Sequence, residues 1–317
     1  MRMTTLQWRA LCAGLLGAAG FIGVYAASTL TARGQRWETR YMNAVAGYDT
    51  SEPLLHLVSV PNLVIACAVM ALIAALRRQW MAGLGALAVM ALSNALGQVL
   101  KYQLLERPAL IAEGPNTFPS GHTIAFASTF AALLIVLPPW ARLAAALPMT
   151  GVLSYAGALI VASGWHRPSD VVGGILLVGA VAALACAVPR VAGLAAEGTL
   201  RKTLSGLGLA LFALGALALA ASACVVAVLR IVDGAPVRTA EALNHILVAA
   251  PALAIIGGLL WVLATGTSPA GDSRSLDENS QHSEKVERPP GGREPGRGSG
   301  SRSAPARPTV GYSSPGS

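Results

Sequence analysis

Apolar residues in this chain run almost unbroken for about twenty positions, stop at short polar stretches, and start again. A helix crossing ~30 Å of hydrocarbon needs ~20 such residues. Eight runs qualify: roughly Leu11–Leu30, Leu54–Leu76, Met81–Leu100, Thr123–Leu137, Ala144–Ser163, Val171–Val188, Gly206–Leu229 and Leu243–Thr265. An isolated strand in lipid could not satisfy its backbone polar groups, so the runs read as helices. The fourth is the shortest, and Pro138-Pro139 ends it. The first is long for a signal peptide and lacks a small-x-small cleavage site before a soluble domain, so it is read as a helix. The expected fold class is all-α, a polytopic membrane helix bundle of about eight transmembrane helices.

Composition supports this pattern: 54% of the 317 residues are hydrophobic and 12% are charged, with a mean hydropathy of +0.58. Soluble domains run near ~25% charged. The net charge of +8 comes from dispersed Lys and Arg, with no basic stripe carrying interleaved aromatics, so no nucleic-acid partner is expected. Cys12, Cys67, Cys186 and Cys224 all fall inside predicted spans, without a Cys-x-x-Cys pair or a His/Cys cluster. They read as small apolar core residues; neither a metal site nor a disulfide framework is implied. After Thr265 the composition turns to Gly, Ser, Pro, Arg and Glu, which cannot bury enough apolar surface to order itself. The expected organisation is a six-helix core over 1–190, two additional helices over 191–265, and a disordered polar tail over 266–317.

Span parity places the loop after the third run and the loop after the fifth on one side of the membrane. Those loops carry the unusual polar residues. Loops on the N-terminal side hold Arg2, Arg9, Arg77, Arg78, Arg142, Arg190, Arg201 and Lys202; the opposite loops hold Arg33, Arg36, Arg40, Lys101, Arg107, Arg167, Arg230 and Arg238. With Lys101, Arg107 and Arg167 set aside as site candidates, the excess lies on the N-terminal side. The positive-inside rule then predicts cytoplasmic termini and an extracytoplasmic site in an integral protein of the plasma membrane.

Three polar elements can converge there. Pro119-Ser120-Gly121-His122 enters the fourth helix, where unpartnered N–H groups favour anions. Gly121 permits close approach, Ser120 can donate or cap, and His122 projects from the first turn. In His166-Arg167-Pro168-Ser169-Asp170 the spacing can bring a carboxylate to an imidazole nitrogen, and Asp170 can equally be an N-cap. Lys101 and Arg107 offer donors for phosphate oxygens, or simply snorkel at the interface. Two imidazoles, a carboxylate and cations together meet the needs of phosphoryl transfer without a metal or cofactor.

This set resembles the type-2 phosphatidic acid phosphatase superfamily, which also contains vanadium haloperoxidases and glucose-6-phosphatase-like enzymes. That family carries Lys-x6-Arg-Pro, Pro-Ser-Gly-His and Ser-Arg-x5-His-x3-Asp. The second motif is intact as Pro119–His122, and the third keeps His166 and Asp170; the resemblance covers roughly Leu54 to Val188. Two departures stand out. Five residues separate Lys101 from Arg107, and Leu159-Ile160 occupies the place of the family's Ser-Arg. Arg167 is the candidate to replace that charge.

The resemblance implies that His166 attacks phosphorus to give a phosphohistidine, oriented by Asp170, while His122 protonates the leaving oxygen. Lys101, Arg107, Ser120 and Gly121 would hold the phosphate oxygens. The implied partners are an amphiphilic phosphorylated substrate, a lipid phosphate or isoprenyl diphosphate, and membrane lipids; nothing marks an oligomeric state. Rival readings are a phosphate-binding transporter or scaffold, a degenerate member, and a phosphotransferase to an alcohol. Transport would be favoured by inverted halves with discontinuous spans, which the sequence lacks.

Overall fold

The computed structural model describes residues 3–45, 53–111, 114–192, 196–229 and 237–265. The tail over 266–317, expected to be disordered, lies outside the described residues. The elements in order are α1 (Thr5–Val24), running into a π-helical turn at Tyr25–Thr29, α2 (Ala32–Val45), a 3-10 turn at Leu55–Leu57, and α3 (Val60–Leu76). Then come α4 (Trp80–Val99) with a π-helical turn at Leu100–Leu104, α5 (Gly121–Val136), α6 (Pro139–Ala162), α7 (Pro168–Cys186), α8 (Pro189–Ala192), α9 (Gly198–Leu229) and α10 (Val237–Leu263). No strand occurs among the described residues, so the fold is all-α.

Helices occupy all eight apolar runs. Among the described residues, six stretches are long and apolar enough to cross a membrane: Thr5–Thr29, Trp80–Leu104, Pro139–Ala162, Pro168–Cys186, Gly198–Ser222 and His245–Leu263. The other two, α3 at 17 residues and α5 at 16, are shorter. At 1.5 Å per residue each reaches only about 25 Å. The architecture is an all-α helix bundle whose longest apolar helices have the length and composition of membrane spans, with α7 almost wholly buried against α1, α5 and α10. In turn α10 packs on α6, α7 and α9.

Local chemistry sets the helix ends. Ser59 accepts from the Asn62 N–H with Pro61 in the first turn and so starts α3. Helix α6 ends in a Schellman motif: the Trp165 N–H reaches the Ile160 carbonyl, the Gly164 N–H reaches that of Val161, and Gly164 takes φ +73°. That motif turns the chain directly into the His166 loop.

Three expectations are corrected. The segment carrying Arg33, Arg36 and Arg40 is not a plain loop but the 14-residue helix α2, which buries Gln35, Glu38, Tyr41 and Val45 at helical spacing. It folds back so tightly that a Cβ on Gly34 would sit 2.3 Å from the Ala27 carbonyl oxygen, which only glycine allows. Arg142 is not a loop charge either. It is 1% exposed, and its guanidinium donates to the carbonyls of Leu134, Ile135, Ala192 and Leu263. With Arg77, which donates to the Val136 carbonyl, it satisfies the orphan acceptors at the end of α5 and ties three chain segments together. Finally, Cys224 is exposed and Cys12 and Cys67 are half-buried, so only Cys186 is a core residue.

Candidate active site

The turn at the head of α7 sets the site. Proline is favoured at the first helical position, and Pro168 fills it. Asp170, two residues on, reaches back so that its Oδ2 accepts the Arg167 N–H at 3.0 Å, as in a capping box. The same oxygen accepts the Thr117 hydroxyl at 2.6 Å and lies 3.3 Å from His166 Nδ1. Asp170 is therefore both a cap and the imidazole's partner. It is 0% exposed, and its other oxygen, Oδ1, is buried with no hydrogen-bond partner among the described residues. With Nδ1 facing the carboxylate, His166 presents Nε2 on the opposite side of its ring.

His122 stands in the first turn of α5, half-buried. Its ring centroid lies 6.3 Å from that of His166 and 5.1 Å from that of Trp165. The two loops thus meet, held directly by the Ser120 N–H, which donates to the Asp170 carbonyl at 2.9 Å. Ser120 is fully buried and caps α5. Its Oγ accepts from the Thr123 N–H at 3.3 Å and from the Thr123 hydroxyl at 3.0 Å. Of its two expected roles, capping is the one observed. Gly121 lies beside Gln98, whose Nε2 would be 3.6 Å from an added Cβ.

The cations are distributed around this centre. Lys101 sits in the π-helical turn after α4, its ammonium 5.6 Å from the Tyr102 ring centroid, and its charge reaches His122. Arg167 donates from Nη1 to the Thr117 hydroxyl at 2.8 Å, so Thr117 relays between that guanidinium and Asp170. Arg107 does not snorkel. Its side chain is 7% exposed and its Nη1 lies 3.3 Å from Glu38 Oε2. Leu159 and Ile160, in the last turn of α6, are 5% and 0% exposed, so no cation enters from that position.

Sequence reasoning missed four contributors. Asn116 ties the ends of the first two motifs, donating to the carbonyls of Lys101 and Leu105 at 3.1 and 2.8 Å while accepting the Phe118 N–H. Thr117 links Arg167 to Asp170. Glu38 on α2 accepts from Arg107 and, through Oε1, from the Ser169 N–H at 3.3 Å. Burial raises the proton affinity of Glu38 and the nearby Asp170 charge adds to it, while the Ser169 bond, Arg107 and Arg167 pull it down; the net shift is upward. The fourth is His56, an exposed residue whose ring stands edge-on to Trp165 with centroids 6.5 Å apart. The signal that could have revealed Glu38 is the single acid in an amphipathic stretch carrying Arg33, Arg36 and Arg40.

Among the described residues no group of three or more His, Cys, Asp or Glu side chains is arranged to hold a metal ion. The arrangement offers two close imidazoles, one of them backed by a buried carboxylate, with three cations nearby.

Residues 82–193 of the chain match the family model of the PAP2 (phosphatidic acid phosphatase type-2) superfamily. The match begins within α4, later than the Leu54 expected from the motifs, and includes both histidines and Asp170. No curated protein and no solved structure matches the chain significantly.

Proposed function

We propose that this protein is a membrane-embedded phosphatase that hydrolyses a lipid phosphate or isoprenyl diphosphate through a phosphohistidine. His166 Nε2 attacks phosphorus, Asp170 fixes the tautomer and stabilises the charged imidazole, and His122 gives its proton to the leaving oxygen. Water, activated by His122 in return, then cleaves the P–N bond. Lys101, Arg107, Arg167 and the Ser120–Gly121 backbone hold the phosphate oxygens. The protein is proposed to sit in the plasma membrane with cytoplasmic termini and an extracytoplasmic site. The six apolar helices through residue 190 carry the chemistry, and α9 and α10 are additions to them.

The observation that carries this reading is the pairing at the head of α7. A buried Asp170 oxygen 3.3 Å from His166 Nδ1, with a second imidazole 6.3 Å away by ring centroids, is the layout of a nucleophile with its orienting partner and a separate acid. The superfamily domain supports it. A non-catalytic, phosphate-binding protein is the second reading, favoured by the buried Leu159-Ile160 pair that stands in place of a family cation.

The test is phosphate release from a panel of lipid phosphates and isoprenyl diphosphates by the purified full chain in detergent. Release should continue in EDTA and stop with orthovanadate. Loss of activity in EDTA, restored by magnesium, would reject the mechanism; no release from any substrate would favour the binding protein.

A further inference from the structure

Glu38 is 0% exposed, and a carboxylate so far from water persists only with dedicated partners. It has one for each oxygen: the Ser169 N–H at 3.3 Å on Oε1, and Arg107 Nη1 at 3.3 Å on Oε2. The first belongs to the opening turn of α7, next to Asp170. The second belongs to the loop after α4. One carboxylate on α2 therefore bridges two elements of the proposed phosphate site. It also lies outside the superfamily domain, on a helix with no part in its motifs.

α2 delivers that carboxylate on a rigid support. Gln35, one turn earlier and 2% exposed, donates through Nε2 to the carbonyl of Pro108 at 2.7 Å and to that of Thr29 at 2.8 Å. The Tyr25 hydroxyl donates to the Glu106 carbonyl at 2.7 Å. The residues on both sides of Arg107 are thus pinned to the π-helical turn after α1 and to α2. A buried ion pair adds little to stability compared with an apolar pair of the same volume; what it adds is a guanidinium held in one orientation. Glu38 engages one of the five N–H donors of Arg107 and leaves the rest for an anion.

We propose that Glu38 is a positioning residue: its two oxygens lock Arg107 and the first turn of α7 into one geometry, so that an incoming phosphate meets a cation already set in place. This rests on the phosphatase reading of the site. Glutamine separates the two contacts. Its single acceptor oxygen can keep the Ser169 N–H, but its amide N–H groups then face Arg107, which is released while α7, Asp170 and His166 stay in place.

The test uses the purified full chain in detergent, with orthovanadate affinity measured by calorimetry and kcat and KM by p-nitrophenyl phosphate hydrolysis. Glu38→Gln should raise the vanadate Kd and KM about tenfold, the weight of one charge-assisted hydrogen bond. Its kcat should change less than about threefold, because such a bond acts on ground state and transition state alike. Glu38→Asp, which keeps both oxygens, should recover much of the affinity, and should carry the test if the glutamine variant does not accumulate. Adding Glu38→Gln to Arg107→Ala should weaken binding no further, because both act through one guanidinium. A fall in kcat with Kd and KM unchanged, or losses that multiply in the double variant, would overturn the proposal, as would a wild type that binds no vanadate. A wild type that binds vanadate in this Glu38-dependent way but releases no phosphate would instead remove the phosphatase reading and leave Glu38 its role.

Discussion

Asp170→Asn isolates the charge of the carboxylate from its geometry. Asp170 Oδ2 accepts from the Arg167 N–H and the Thr117 hydroxyl and faces His166 Nδ1, whereas Oδ1 has no partner among the described residues. The Arg167 donor is a backbone group and cannot turn away. An asparagine must therefore place its oxygen where Oδ2 sits and its nitrogen where Oδ1 sits. His166 keeps its tautomer and orientation and loses only the negative charge behind it. The smallest effect expected is the difference between a charge-assisted and a neutral hydrogen bond, about 1.4 kcal/mol or tenfold. The largest is the full attraction to an imidazole that becomes positive: at 3.3 Å and an effective dielectric of about 20 this is about 5 kcal/mol, or several thousandfold. We expect kcat on p-nitrophenyl phosphate to fall between those limits, with the thermal midpoint in detergent lowered only slightly. A kcat within twofold of wild type would refute a nucleophile backed by Asp170. A collapse of the thermal midpoint would refute the claim that asparagine preserves the turn.

The two histidines should fail differently. His166→Ala should abolish phosphoenzyme with every substrate, and His122→Ala should be partly rescued by the good leaving group of p-nitrophenyl phosphate, since general acid catalysis contributes roughly 10²–10⁴-fold; rescue of His166→Ala instead would reverse the roles. Arg167→Ala releases Thr117 from its guanidinium and should lower kcat/KM about tenfold or more, with exposed Arg33→Ala as a control expected to stay within about twofold; equal losses would remove Arg167 from the site. Arg142→Ala strands four buried carbonyls, each costing about 1–3 kcal/mol if left unsatisfied, visible as a lowered thermal midpoint or poor accumulation; a midpoint equal to wild type would show that water replaces the guanidinium. Glu38 has a raised proton affinity in the folded state, so its contribution to stability is fully present below its ordinary value of 4.5 and is lost as pH rises through its higher folded value. The thermal midpoint of wild type relative to Glu38→Gln should therefore fall as pH rises from 4 to 8, and a rising difference would contradict the shift.

Long apolar runs made the spanning helices legible, because in hydrocarbon run length alone fixes the element. Loop parity, which needs only the order of the runs, likewise brings His122 and His166 together, and their ring centroids lie 6.3 Å apart. What escaped has one physical origin. α2 carries no apolar run; its inward face is built from Gln35 and Glu38 as much as from Tyr41 and Val45, and these polar residues are buried only because partners 73, 69 and 131 positions away receive them. Thr117 and Asn116 lie in an irregular segment whose only pattern is in its hydrogen bonds. Arg142 misled for the converse reason. A charge beside Pro138-Pro139 and Trp140 reads as a surface anchor, yet three segments end nearby and leave carbonyls that only a long cationic donor can serve.

On the proposed reading, an anion site that contains two buried carboxylates needs an electrostatic explanation. Glu38 and Asp170 are both fully buried, and either, unpaired, would repel phosphate. Each is committed. Glu38 is bound to Arg107 and Ser169, and Asp170 collects Thr117, the Arg167 amide and His166. Their negative charge is therefore committed to orienting donors, and on the proposed reading the remaining N–H groups of Arg107 bind the phosphate. Lys101 is different: among the described residues it has no carboxylate partner, and its charge falls on His122. On the proposed reading the two kinds of cation divide the work. Lys101, a compact charge on a flexible stem, supplies net attraction to the dianion, and the two arginines, pre-set by Glu38 and Thr117, supply directional bonds that need no reordering when phosphorus becomes five-coordinate. On that reading the apolar Ile160, where the family it resembles carries an arginine, is tolerable only if Arg167 is held as firmly as Arg107. The Thr117 hydroxyl, shared between Arg167 and Asp170, meets that requirement.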